Sequence, residues 1–339
     1  MQGRIENNIR IKRLIENNLR TMPPYVKEWY INLTASGKEM SSCNDYIRKI
    51  RKFLLYINED IIKIVPKDIT MNKTETYFIS IQTKITSDGK QDVTSDSYKQ
   101  TIWCALNSFL GFLYDRKYIE ENYMKYICKP KNKDLQRINE NRVLLTKEDF
   151  NEILKCVQNG VGSHKAKEHQ KNMRNRDMLI MLLFMQTGMR KTALSEINVD
   201  DIDLFKRELL VIDKGNKRHV YYLTDDVIKY LKLWLLQRKD ILGKEHNDAL
   251  FVSENKTRLS NNAIYKLVEK YCKEALDEKI SPHKLRSGFC SILYNETKDA
   301  EFVRRAVGHS NISTTQRYIV TDNSEKEKAA NLINCLLKV

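Results

Sequence analysis

Eight consecutive apolar residues, Met178 to Met185, make up the longest such run in this chain, inside a stretch reaching from Arg176 to Gln186. The run is far too short to cross a bilayer, so it is expected to be a helix buried on all sides. Thr187-Gly188 closes it and Arg190 follows at once. A cation placed directly after a buried helix is held by rigid surroundings, as a charge that must meet a reacting group has to be. Capping of the helix's own carbonyls is the plainer use of such a residue. Leu194, Ile197 and Val199 carry the apolar pattern on toward Asp200-Asp201-Ile202-Asp203.

A second cluster lies further along. Ser281 before Pro282 reads as an N-cap and first helical residue. His283 and Arg286 then share one face of the first turn. Unpaired backbone N–H groups and the positive end of the helix dipole welcome an anion there. Asp299 can cap a short helix with Phe302, Val303, Ala306 and Val307 as its apolar residues, and Gly308 has the position of its C′ residue. Ser313 can start the next helix, which carries Tyr318. A turn beginning at His309 is thus expected to aim a phenol and a second imidazole back toward the first turn. Two imidazoles, a guanidinium and a phenol around an anion pocket point to phosphoryl transfer. Singly, each has a duller reading: a structural histidine, a salt-bridged arginine, one tyrosine among 17. The order and spacing of the group are what single it out.

Around these clusters the pattern is mostly helical. Thr146 is expected to cap a helix with acidic residues in its first turn. Thr224-Asp225-Asp226 caps another that runs to Arg238, and Ser260 a third, whose early residues Asn261, Asn262, Tyr265 and Lys266 could meet DNA. Leu209 to Ile212 and His219 to Leu223 are β-rich runs joined through Gly215-Asn216, a good hairpin turn. Lys214 is then at the tip, beside Lys217, Arg218 and His219, where it is either solvated or reaches into a DNA groove. Leu250-Phe251-Val252 reads as a short strand. The terminal stripe Ala329, Leu332, Ile333, Leu336 and Leu337 suits a helix that folds back on its own domain or docks on a neighbour.

The first part of the chain reads as an all-helical bundle with no catalytic cluster. A basic segment, 1–22, is helical from Ile5 through Leu19 and ends at Pro23-Pro24. Tyr25 to Leu33 is a short amphipathic stretch. Ser41-Ser42 is expected to cap a helix from Asn44 to Ile57 with Tyr46, Ile47, Ile50, Phe53, Leu54 and Ile57 as its stripe. Arg48, Lys49, Arg51 and Lys52 are assigned to its other face. Ser95 or Ser97 starts a helix carrying Ile102, Leu106, Phe109, Leu110 and Leu113, with Lys99 near its beginning. These cationic faces are either solvated or meet phosphate; the latter suits a chain with 59 Lys+Arg against 44 Asp+Glu and a net charge of +15.

A length of 339 residues suggests two domains. The polar stretch from Lys129 to Asn141 fits an exposed linker, giving a helical domain at 23–128 and a second domain at 142–339. The N-terminus lacks the apolar core of a signal peptide. Seven scattered cysteines with no CxxC indicate neither a disulfide framework nor a zinc site. The expectation is a cytoplasmic, nucleoid-associated protein with no membrane segment, metal or cofactor.

In order, the second half holds Thr-Gly-Met-Arg190, Asp-Lys214-Gly-Asn-Lys, His283-Lys284-Leu-Arg286, Gly-His309 and Tyr318. This arrangement resembles the tyrosine recombinase (phage integrase) family. HxxR alone is a poor signal, but with GHxxxxTTxxY, an upstream TGxR and a KGNK hairpin it is specific. The resemblance implies a mainly α fold with a small β-sheet, in which a helical core-binding (SAM-like) domain and a catalytic domain clamp duplex DNA. It implies a catalytic set of Arg190, Lys214, His283, Arg286, His309 and the nucleophile Tyr318. It further implies a homotetramer on DNA, assembled from a chain that is a monomer in solution or not, with the terminal helix a candidate for exchange between subunits. An accessory DNA-bending factor is left open. Two residues depart from the family pattern: Ala193 stands where Glu is usual, and Ser287 where a histidine commonly follows HxxR. A separate arm-binding domain has no room before Pro23, which implies a simpler recombination site.

Three other readings compete. A type IB topoisomerase shares the chemistry without pairing sites. A DNA-binding protein that has lost activity is disfavoured by retention of all six matched residues, and a metal-dependent transposase by the lack of evident clustered carboxylates. Integration and excision of a mobile element is the biological task expected here.

Overall fold

The computed structural model describes residues 2–85, 89, 91–131, 145–213 and 217–308, with backbone alone at Gln2, Lys84, Asp213 and Lys217. The chain divides into two compact units, 5–141 and 142–339, the latter joined by residues 1–4. Within the described residues no helix is long and apolar enough to cross a membrane.

The first unit is built from α1 (Gln2–Leu19) from Ile5 onward, α2 (Pro24–Ala35), α3 (Met40–Ile57), α4 (Met71–Ser80) and α5 (Asp96–Asp115). Its core is what the stripes predict: Val26, Trp29, Ile47, Ile50, Phe53, Leu54, Leu106, Phe109 and Leu110 are wholly enclosed. The Trp29 ring meets Phe109 edge-on at 5.1 Å, and its indole N–H donates to Ser108 Oγ at 3.3 Å. Helix α3 starts earlier than its serines suggest, at Met40 after Glu39. Cys43 is buried there and continues the Ile47–Ile50 stripe one turn back, so packing overrides the local capping signal. Helix α4 and a small antiparallel hairpin, β1 (Thr83–Ile85) with β2 (Gln91–Val93), occupy a region for which sequence patterning gives no element.

The second unit centres on the apolar run. Helix α8 (Arg174–Thr187) is enclosed along nearly its whole length. It is surrounded by α6 (Lys147–Asn159), α10 (Asp225–Leu242) and α12 (Pro282–Thr297). Helices α7 (His164–Lys171), α9 (Lys191–Glu196), α11 (Asn261–Leu276) and α13 (Ala300–Ala306) complete the helical part. The caps expected at Thr146, Thr224, Ser260, Ser281 and Asp299 are all made, each side chain accepting from a first-turn N–H. Arg176 and Asp177, near the polar start of α8, are paired with each other inside the core. Asp177 accepts from Arg176 and, at 2.8 Å, from the Tyr271 hydroxyl, whose pKa is raised by burial and then by that carboxylate.

The sheet is antiparallel in the order β3 (Ile202–Asp203), β4 (Glu208–Asp213), β5 (Lys217–Tyr222). Leu209 pairs with Tyr221 and Val211 with His219. The expected strand at Leu250–Val252 is not one: Ala249 and Val252 make only isolated bridges, to Asn198 and Arg258. Its three residues are apolar because they are buried under α10, where the Trp234 indole donates to Leu250 O at 2.8 Å. Phe302, expected on the apolar side of α13, is instead 49% exposed; Val303 and Val307 alone suffice to seat that short helix against Cys290.

Candidate active site

Helix α8 stops because Gly188 adopts a left-handed conformation at φ +59°. The same residue lets α12 approach, since a Cβ at 188 would lie only 2.5 Å from the ring of Phe289. Met189, fully enclosed, pins the next step of the chain. Arg190 then precedes α9 in an extended conformation, half-buried. A turn fixed by a positive φ, a ring contact and a buried methionine gives this guanidinium a set point of departure.

On α12, the Ser281 hydroxyl accepts from Lys284 N at 3.3 Å and Pro282 takes the first helical position. Leu285 and Arg286 turn inward while His283 and Lys284 are exposed. Arg286 is only 2% exposed. Its guanidinium donates to Gly188 O and, at 2.9 Å, to Val307 O. One side chain thereby ties the end of α8 to the end of α13. Both contacts are charge-assisted hydrogen bonds, which fix the position of the buried guanidinium.

The chain leaves α13 through Gly308 at φ +68°. Here the neighbour is His219 of β5, whose Nδ1 lies 3.2 Å from the position a Gly308 Cβ would take. Four segments therefore converge on the Arg286 guanidinium or next to it: the Gly188–Arg190 turn, the first turns of α12, the Val307–Gly308 exit and the inward side of β5. Lys214, His309 and Tyr318 lie outside the described residues. Within them, no group of three or more His, Cys, Asp and Glu could hold a metal ion. The first departure from the family pattern has a structural setting: Ala193 is buried on α9, which packs against β4, where Val211 is also enclosed.

The residues assigned to DNA contact fall into different settings. Arg48 and Lys52 are exposed on α3, with Lys52 Nζ 3.3 Å from the Tyr98 hydroxyl. Arg51 donates to Thr21 Oγ1. Lys49 is not on the outer face at all: it is 5% exposed and paired with Asp45 on the same helix. Its position falls between Ile47 and Ile50, so the stripe carries it under cover, its stem packed and its ammonium led to Asp45. Lys99 is half-buried and paired with Asp96 at 2.7 Å. On α11, Asn262, Tyr265 and Lys266 are exposed, whereas Asn261 accepts from Ser195 Oγ at 3.3 Å. Lys191, next to Arg190, stands 5.5 Å over the Tyr265 ring and is a cation that motif reading passes over. Lys217 opens β5.

Residues 144–325 match the model of the phage integrase family. The chain belongs to that family. Over 308 residues it is 27% identical to the tyrosine recombinase XerC of Psychromonas ingrahamii, spanning 86% of this chain and 90% of the relative. Among solved structures, the XerH site-specific recombinase bound to difH substrate is similar at a TM-score of 0.62 and 23% identity. That match covers 87% of this chain and 80% of that one. The Tn1549 transposon integrase in complex with a circular intermediate DNA is similar at 0.60 and 15%, over 91% and 99%. At such identities the likeness is one of fold. The enzyme is a tyrosine-type site-specific recombinase, and its mainly helical fold with a small three-stranded sheet is the one expected from the motifs.

Proposed function

We propose that this recombinase cuts and rejoins duplex DNA through a 3′-phosphotyrosyl intermediate, and that its task is integration and excision of a mobile element. The Tyr318 oxygen attacks the scissile phosphorus, a P–O bond to tyrosine forms, and the bond to the 5′ oxygen breaks. The phenolic proton passes toward His283, and Lys214 protonates the departing 5′ oxygen. Arg190 and Arg286 neutralise the non-bridging oxygens as charge builds, and His309 donates a hydrogen bond to one of them. The phosphodiester's energy is kept in the tyrosyl ester, so the return attack by a 5′-hydroxyl needs neither ATP nor a divalent metal.

The observation that supports this chemistry best is the placement of Arg286. A cation tied to carbonyls on both sides cannot swing away, and preorganised charge is the largest expected contribution to phosphoryl transfer. The helical unit at 23–128 serves as the core-binding domain and 142–339 as the catalytic domain, with Arg48, Lys52, Asn262, Tyr265, Lys266 and Lys284 among the groups facing DNA. Strand exchange between two duplexes requires four active sites, which makes a homotetramer on DNA the working assembly and gives the stripe from Ala329 to Leu337 a neighbouring subunit to dock on. The mobile-element task draws its support from the shared fold of the Tn1549 integrase.

Tyr318→Phe should lose covalent capture of a nicked suicide substrate while binding the same duplex nearly as well. The wild type should capture it undiminished in EDTA. Capture by the Phe variant would mean that another residue is the nucleophile. Incubating the enzyme with two copies of the DNA flanking its gene should give recombinants, whereas relaxation of supercoiled plasmid without recombination would point to the topoisomerase reading.

A further inference from the structure

Strand β5 carries a polar residue where the pattern calls for an apolar one. Its exposed positions are Arg218, Val220 and Tyr222, and its inward positions are His219 and the buried Tyr221. Opposite them on β4 stand Val211 and Leu209, both enclosed. The His219 ring rests edge-on against Tyr221, with centroids 4.4 Å apart, which fixes its plane. Gly308 also lies beside it. Built at that residue, a Cβ would be 3.2 Å from Nδ1 and 3.5 Å from Cε1 of the imidazole. Gly308 is thus needed for its positive φ and also for the room it leaves to this ring. Two independent features, an inward histidine and a glycine with the ring against it, meet at one point.

That point has a place in the chemistry. Gly308 is bonded to His309, and the preceding carbonyl, Val307 O, accepts from Arg286 at 2.9 Å. The backbone entering His309 is therefore tied to the guanidinium on one side and faces the His219 imidazole on another.

We infer that His219 is a positioning residue for strand cleavage. By seating Gly308 against β5 it sets where His309 meets the scissile phosphate, and it ties the hairpin that bears Lys214 to the segment that bears His309. This inference rests on the strand-cleavage reading above.

Positioning through His309 has a signature that simple structural support lacks. His219→Ala should slow single-turnover capture of the suicide substrate by about 10- to 100-fold, the scale expected for a displaced catalytic group. Duplex affinity and the melting temperature should stay close to wild type. In a double-mutant cycle, His219→Ala combined with His309→Ala should be scarcely slower than His309→Ala alone. Should His219→Ala fold poorly, His219→Gln, which keeps length and a polar tip, takes its place in the cycle. Wild-type capture by both variants overturns the inference, and so does a full multiplication of the two losses. Neither of those results touches the nucleophile, which Tyr318→Phe tests separately: if Tyr318→Phe still captures DNA, the underlying reading fails whatever His219 does.

Discussion

Arg286 shows what a single residue contributes beyond its motif. The HxxR spacing marks it as a cation on the first turn of a helix, but not that it is buried or that it spans two chain segments. Its fork geometry is what allows one side chain to serve Gly188 O and Val307 O together. Lysine offers a compact ammonium on a flexible stem and cannot reproduce that bridge. Arg286→Lys is therefore expected to cut cleavage by about 10²–10³-fold although the charge is kept. It should also cost roughly 1–3 kcal/mol of stability, because a buried carbonyl loses its donor. Single-turnover capture and urea denaturation measure the two effects, and an active, fully stable Lys variant would show that the charge alone suffices. The inward placement of His219 is less legible in the sequence than the helical position of Arg286. Whether a hairpin residue points inward depends on register, and register is settled by pairing that the local pattern does not contain.

At the scale of elements, signals made within one turn were readable and those made between segments were not. The caps at Thr146, Ser281 and Asp299 are side chain to backbone contacts over two or three residues, so the sequence displays them directly. Leu250–Val252 is as apolar as a strand yet makes only scattered backbone bonds, among them the single bridge from Val252 to Arg258; burial under α10 explains the apolarity. Helix α13 illustrates both sides. At seven residues it is too short to persist alone; it rests on Val303, Val307 and the Asp299 carboxylate, which accepts from Glu301 N at 2.8 Å and Phe302 N at 3.0 Å. Asp299→Ala should weaken it by about 1 kcal/mol, seen as faster amide exchange over residues 300–308 while α8 stays protected. Acid should act in the same direction. Hydrogen bonds from Arg304 and Arg305 hold the Glu301 carboxyl down to about 2, against an ordinary value of 4.5. Its support is complete above 4.5 and is lost as the pH falls toward 2, so protection in α13, taken relative to the intrinsic exchange rate at each pH, should fall over that window. An unchanged exchange rate in Asp299→Ala would assign the helix's order to burial alone.

For the whole molecule, the property that sequence states most plainly is charge, and structure decides which charges count. A net +15 predicts steep salt dependence of DNA binding, but the sum does not say which lysines meet phosphate. Lys49 and Lys52 are three residues apart on α3 and were indistinguishable by pattern. Lys52 is exposed, while Lys49 is enclosed and paired with Asp45. Each phosphate contact contributes close to one unit to the slope of log K against log salt. Lys52→Ala should therefore weaken binding and flatten that slope by about 1, and Lys266→Ala on α11 should do likewise. Lys49→Ala should leave the slope unchanged and show itself in the melting temperature, since it removes a packed stem and its ion pair. Titrations between 50 and 200 mM salt give the comparison. If Lys49→Ala flattened the slope with no change in melting, its ammonium would have to leave Asp45 for DNA, and exposure in the free protein would be a poor guide to the surface it uses when bound.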